Sequence, residues 1–408
     1  MPTIPLALSS LIPPAHEALC ALGGWALPIV PRRRTSRWLL ALGFVGSVGV
    51  SAAWLLVQHV PWFGPMVADE LRAVVGSERV TQLEETVAGV EDSVHQVVSD
   101  GTARSLSEAT PSELLVSVTD RTTSTLPGPE SVGALYPGTA SREDGTWQPV
   151  TARAGKSGAI YRTIVHPDSE RAYAELFVFA LDLSQLSVHA VAGSLEPKSD
   201  ESMAKVARPG VIPESERGEL VAAFNGGFKA EHGQFGMMVG GTELLPPKPQ
   251  SCTFAATSEG DLRIAPWATL VGSGTLDWWR QTPGCMVQEG VLHPGLRSAD
   301  SRNWGATLEG KTVIRRSAVG LSRDRRTLFV GISNATTARA LALGMQHVGA
   351  RDVAQLDVNF SFPRFLLYRN GDGSELSAIG AVRGLLYQPD EYLGHASSRD
   401  FFYVTARP

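Results

Sequence analysis

Asp357, Asn359 and Ser361, in the stretch VAQLDVNFSFPRFLLY, stand at alternate positions and share one side wherever the strand continues. A second stretch, TVIRRSAVGLSRD, places Arg315 and Arg316 next to each other, so the two point to opposite faces of a strand and one of them faces inward or into a cleft. A third, LVAAFNGGF, stops an apolar run at Asn225 and follows it with Gly226 and Gly227, where backbone can come close to a ligand or turn with φ > 0. A carboxylate, two amides, a hydroxyl and a guanidinium at strand ends form a polar pocket for a ligand. His232 and Glu231, just beyond the glycines, add groups for proton transfer, and a histidine titrates in the useful range. Each feature also has a plainer explanation: a turn, a surface ion pair, a loop side chain on backbone groups, an exposed loop position.

These stretches need a scaffold, and from about residue 156 the pattern is strand after strand. Ala172–Leu183 and LSVHAVAG are joined by a short turn, GMMVGGTELL carries Gly-Gly between two apolar halves, and CTFAATSEGDLRIAPW and CMVQEGVL repeat the layout. One helix interrupts them: NATTARALALGMQHVGA, with Asn334 as N-cap, places Ala338, Leu341, Met345 and Val348 on one face and stops at Gly349. It lies between TLFVGIS and DVAQLDV, which reads as a crossover unit with two parallel strands. The expected class is α+β: a mixed, largely antiparallel sheet built from hairpins with one βαβ crossover.

The N-terminal part reads differently. Arg32, Arg33, Arg34 and Arg37 precede an uncharged run from Trp38 to Val60, long enough to cross a bilayer. The expected layout is a cytoplasmic tail (1–37), a transmembrane signal anchor (38–60), a helical stalk (61–100), a Pro/Thr/Gly-rich linker (101–155) and an exported domain (156–408). The competing reading is a signal peptide cleaved after Val50-Ser51-Ala52, giving a secreted protein. In the stalk, Val80, Leu83, Val87, Val90, Val94 and Val97 alternate three and four apart, a short heptad seam that suits a weak dimer or packing on the helix's own domain.

Composition narrows the functions. A formal net charge of −5 and the lack of a Lys/Arg stripe argue against a nucleic-acid partner. Of 3 cysteines, Cys252 and Cys285 are the pair within the domain, open to a disulfide or to two buried thiols. Without CxxC or paired-histidine spacing no metal is expected.

FNGGF (224–228), RSAVG (316–320) and LDVNFS (356–361), in that order, resemble the phosphodiester glycosidase family, which includes N-acetylglucosamine-1-phosphodiester α-N-acetylglucosaminidase-like (uncovering-enzyme-like) domains. The resemblance spans about 170–405 and departs where Val358, Asn359 and Phe360 replace three glycines of the family pattern. It implies a hydrolase that cuts a sugar phosphodiester, or a related glycosidic bond, in envelope or extracellular polysaccharide, without a cofactor. Arg316 would then hold the phosphate, Asp357 serve as base or nucleophile, and His232 assist. Asn225, Asn359 and Ser361 would bind substrate, and Gly226 and Gly227 admit it. The altered third motif keeps a second expectation open, a glycan-binding or envelope-assembly protein that retains the fold without hydrolysis.

Overall fold

The computed structural model describes residues 76–102, 128–150, 158–199, 207–272, 274–297, 302–305, 312–370 and 375–407, with four isolated positions before Gly76. Among the described residues eighteen strands form three sheets. The first has the order β1 (Gln148–Pro149), β2 (Ile160–Val165), β3 (Leu176–Asp182), β14 (Thr327–Thr336), β13 (Ile314–Leu321), β15 (Asp352–Val358), β11 (Val287–Gln288), β12 (Val291–Leu292). The second runs β7 (Thr242–Leu245), β6 (Met237–Val239), β10 (Leu276–Thr282), β8 (Cys252–Thr257), β9 (Leu262–Pro266). The third runs β17 (Leu376–Gly380), β16 (Phe365–Asn370), β5 (Leu220–Asn225), β18 (Phe401–Ala406), β4 (Leu186–Val191).

All three sheets are antiparallel, which corrects the expected α+β class with a mixed sheet. The described helices are α1 (Ser77–Thr102), α2 (Trp267–Leu270), α3 (Pro294–Arg297) and α4 (Ala338–His347); the crossover exists as a path through α4, but β13 lies between β14 and β15 and pairs antiparallel with both. The two strands therefore run the same way without forming a parallel ladder. β14 also reaches further than expected, so the helix is capped by the Thr337 side chain, which accepts from Ala340 N–H, while Asn334 bonds the Arg383 carbonyl. Ala338, Leu341, Met345 and Val348 are buried as a face should be. β3 and β4, joined by a short turn, belong to different sheets.

The remaining hairpins follow their turns. Gly240 and Gly241 both have positive φ (57° and 74°) between β6 and β7, the conformation that makes a two-residue turn match strand twist. The main core draws on all three sheets, with Phe179, Phe224, Phe254, Trp278, Leu356, Phe365 and Phe402 packed together. Phe179 and Phe365 stack at 4.0 Å between centroids, joining the first sheet to the third. A second cluster fills the space between the first sheet and α4, with Leu176, Val178, Leu341, Met345 and Trp304. Cys252 and Cys285 are joined in a disulfide that ties β8 to the turn after β10.

The N-terminal expectations are corrected here. Among the described residues no helix is long and apolar enough to cross a membrane, so membrane anchoring through an N-terminal helix, with the localisation drawn from it, is not supported. The run 38–60 on which it rested lies outside the described residues, as does the candidate cleavage site. The stalk is replaced by a docked helix, α1 (Ser77–Thr102). Asp92 pairs with Arg171 at 3.0 Å and accepts from the Tyr173 hydroxyl, and His95 lies against the Tyr173 ring, so the helix is tied to the residues that lead into β3. Val80 and Ala88 are buried, while Leu83, Val87, Val90 and Val94 face outward. The expected domain edge at 156 falls between β1 and β2, which pair with each other; Asp144, in the turn before β1, accepts from His166 N–H at the end of β2.

Candidate active site

The three stretches meet at one end of the first and third sheets. β13 pairs with β15 with one extra residue on β15: Arg316 stands opposite Val358, whereas Ala318 stands opposite Gln355. Such a bulge bends the strand and redirects a side chain, and it falls at Leu356 and Asp357. Ser317, facing the bulge, donates its hydroxyl to the Asp357 carbonyl (3.1 Å) and accepts from the Asn225 amide (2.9 Å). Asn225 in turn accepts from Arg364 N–H (3.0 Å), so the end of β5 is locked to β13 and β16.

Asp357 is buried, and its carboxylate is held by three donors. Oδ1 accepts from Val358 N–H (2.9 Å); Oδ2 accepts from the Asn359 amide (2.9 Å) and from the Arg399 guanidinium (2.7 Å). Arg399 also donates to the Gly227 carbonyl (2.9 Å), while the Gly226 carbonyl accepts from Asp357 N–H (3.1 Å). Asn359 Oδ1 accepts from Ser361 and Phe362 N–H groups, which folds 359–362 into a tight turn above the carboxylate.

Below this layer lies a second carboxylate. Asp400 is 2 % exposed, receives the Arg280 guanidinium (2.9 Å) and accepts from Gly227 N–H (2.8 Å). Burial alone would push its carboxyl up, but Arg280, Gly227 N–H and Arg399 outweigh that and hold it below the usual carboxylate range. The glycines are explained here. A Cβ on Gly226 would overlap Asp400 Oδ2, and one on Gly227 would meet the Arg280 guanidinium carbon at 2.9 Å. The space beside them is taken by the protein's own ion pair, so their lack of side chains serves packing between chain segments.

Asn225, Gly226, Gly227, Asp357, Asn359 and Ser361 thus come together. Arg316 lies next to them but points away into the interior. It is fully buried, and its Nε and both terminal nitrogens donate to the carbonyls of Thr336, Trp304 and Thr312. Arg315, on the opposite face, donates to the carbonyls of Phe360 (2.6 Å) and Gly384 (2.8 Å) and lies under the Phe360 ring (4.7 Å). Burial pushes both guanidinium groups down to about 10, so both stay charged at neutral pH. His232 sits on a short 3-10 turn (Ala230–His232), partly exposed, 3.6 Å from Glu231.

Sequence reasoning missed Arg399, Asp400, Arg280, Arg364 and Ser317. The signal for the first two was present, since SSRDFFYVTA sets a charged pair directly against an apolar strand, the same break that singled out Asn225. Among the described residues no group of three His, Cys, Asp or Glu side chains is placed to hold a metal ion.

No family model matches the chain, and no curated protein does. Among solved structures the chain is similar to the zebrafish N-acetylglucosamine-1-phosphodiester alpha-N-acetylglucosaminidase catalytic domain auto-inhibited by its pro-peptide. That likeness has 12% identity and a TM-score of 0.39, covering 64% of this chain and 88% of that one. It is also similar to a hypothetical protein from Synechocystis (10% identity, TM-score 0.33, 64% and 68% covered). A third is a putative exported protein from Burkholderia pseudomallei K96243 (11% identity, TM-score 0.24, 58% and 74% covered). The likenesses are distant, and none assigns a role to a residue of this chain.

Proposed function

We propose that the protein is a glycoside hydrolase acting on a sugar phosphodiester or a related glycosidic bond of a polysaccharide, with Asp357 at its centre. The observation that carries this reading is the bulge-positioned carboxylate of Asp357, oriented by Arg399, Asn359 and Val358 N–H. Such a carboxylate can attack an anomeric carbon or take a proton from water, and its oriented donors keep it in one pose. A phosphate ester leaves as a weak base, so cleavage demands charge stabilisation more than protonation of the leaving oxygen. That suits a site in which the Asp357 carboxylate is held by the Arg399 guanidinium and the second carboxylate, Asp400, is already tied to Arg280. His232 keeps a place in this proposal only as a loop residue that reaches the substrate from beyond the glycines.

A second reading is favoured by one feature. Phe360 and Phe362 replace glycines of the family pattern or flank them, and they stack on Arg315 and Arg399 at 4.7 and 4.6 Å, which suits a glycan-binding protein without turnover. Sugar release from aryl and alkyl sugar-1-phosphodiesters separates the two. Hydrolysis by the wild-type chain that disappears in Asp357→Asn supports the enzyme; no release across a broad panel by a folded chain that still binds glycans supports the binder.

A further inference from the structure

Three buried guanidinium groups converge on the single turn 359–362. Arg315 donates to the Phe360 carbonyl, Arg364 to those of Ser361 (2.8 Å) and Phe362 (3.3 Å), and the Arg399 guanidinium lies under the Phe362 ring. Two of them have carboxylate partners: Arg399 with Asp357, and Arg364 with Glu391 at 2.5 Å. Arg280, deeper in, is matched by Asp400. Arg315 has no carboxylate in ion-pair range among the described residues, and its strongest charged neighbour, Arg364, repels it.

A charge taken out of water is costly unless paired, so an unmatched buried guanidinium asks for an anion. Arg316 shows how a buried arginine is satisfied without one, each of its nitrogens donating to a carbonyl. Arg315 differs. It is 3 % exposed, its terminal nitrogens are used, and among the described residues its buried Nε has no partner. The group covering it is the Phe360 ring, which is 41 % exposed and the most solvent-facing side chain of the turn, two residues beyond the strand that carries Asp357. An aromatic lid over a guanidinium is held by about 0.5–2 kcal/mol, little enough for an oxyanion to displace it.

We propose that Arg315 is an oxyanion subsite, taking a phosphoryl or carboxylate group of an acidic glycan beside Asp357, with Phe360 as its displaceable cover. The subsite deepens the glycosidase reading by giving the substrate a negative charge close to the reacting carbon. The guanidinium Nε and the Nη2 beside it, which now donates to the Gly384 carbonyl, form the edge whose two parallel donors match two oxygens of such a group.

The test is calorimetric binding of N-acetylglucosamine 1-phosphate, glucuronic acid and neutral N-acetylglucosamine to the full 408-residue chain, in wild type, Arg315→Gln, Arg315→Lys and Phe360→Ala. Wild type should bind at least one charged sugar about tenfold tighter than the neutral one, the worth of a charge-assisted hydrogen bond. Whichever charged probe is preferred names the source of the oxyanion. Arg315→Gln should remove that preference, Arg315→Lys should keep part of it, because the charge stays and the fork goes, and Phe360→Ala should strengthen binding of the charged probe alone. Equal binding of charged and neutral sugars by wild type, or a preference that survives both Arg315 substitutions, overturns the proposal. Arg315→Lys keeps the test decisive if Arg315→Gln fails to fold. Sugar release is followed in parallel: a chain that binds the charged probe through Arg315 and releases nothing keeps the subsite and loses the glycosidase reading.

Discussion

Arg315 and Arg316 are adjacent on one strand and almost equally deep, yet their side chains do different work. Arg316 closes a packing joint, giving every nitrogen to the carbonyls of Thr336, Trp304 and Thr312. Arg315, on the other face, anchors a turn at Phe360 and Gly384 and leaves Nε unmatched. Strand alternation alone separates them. The difference teaches that of two adjacent arginines one can be wholly committed to packing while the other keeps a donor unmatched, and that the count of satisfied donors tells them apart.

The comparison is broken most severely at Arg316. Arg316→Met should cost about 3–5 kcal/mol, since buried carbonyls lose their donors and the site is too deep for water to replace them. A shift in the denaturant midpoint measures it, and a loss below about 1 kcal/mol would show that the joint is not structural.

Removing the disulfide by Cys252→Ala with Cys285→Ala should cost about 4 kcal/mol for a loop of this length. The sequence separation is 33, and the bond lies in the second sheet, so this variant serves as a control that lowers stability and leaves the preference for charged sugars unchanged. A change in that preference would mean that global loosening, not Arg315, sets it.

Asp400→Asn tests the layer beneath. Its folded carboxyl sits below the usual range, so its contribution is fully present above the unfolded value of ~3.9 and is lost as pH falls through the lower folded value. Wild type should therefore lose stability below about pH 4 more steeply than the variant, which is already about 3 kcal/mol weaker at neutral pH. Parallel pH profiles for the two would contradict the assignment. The smallest effect on stability is expected at Arg315→Gln, about 1 kcal/mol or less, because two hydrogen bonds are lost while the cost of an unmatched buried charge is relieved.

Local features were legible in the sequence and distant pairings were not. The hairpin turn at Gly240 and Gly241 and the buried face of α4 follow from spacing within a few residues. The placement of β5 between β16 and β18, and of β13 between β14 and β15, depends on which hydrophobic faces find each other across the chain, and no periodicity encodes that. Asn334 looks like a cap from the sequence, but the strand continues past it to Thr336 because ladder pairing with β13 outweighs local capping preference. The polar cluster was half legible: Asn225, Asp357 and Asn359 stand out as breaks in apolar runs, whereas the choice between Arg315 and Arg316 needed the bulge and the carbonyl partners to be seen.

The measurement that tests the account most directly is a crystal structure of the Asp357→Asn chain bound to N-acetylglucosamine 1-phosphate. The account predicts the anomeric carbon beside residue 357, the phosphoryl group within hydrogen-bond distance of Arg315 Nε, and the Phe360 ring displaced from the guanidinium. A phosphoryl group bound elsewhere, with Phe360 still stacked on Arg315, would contradict it.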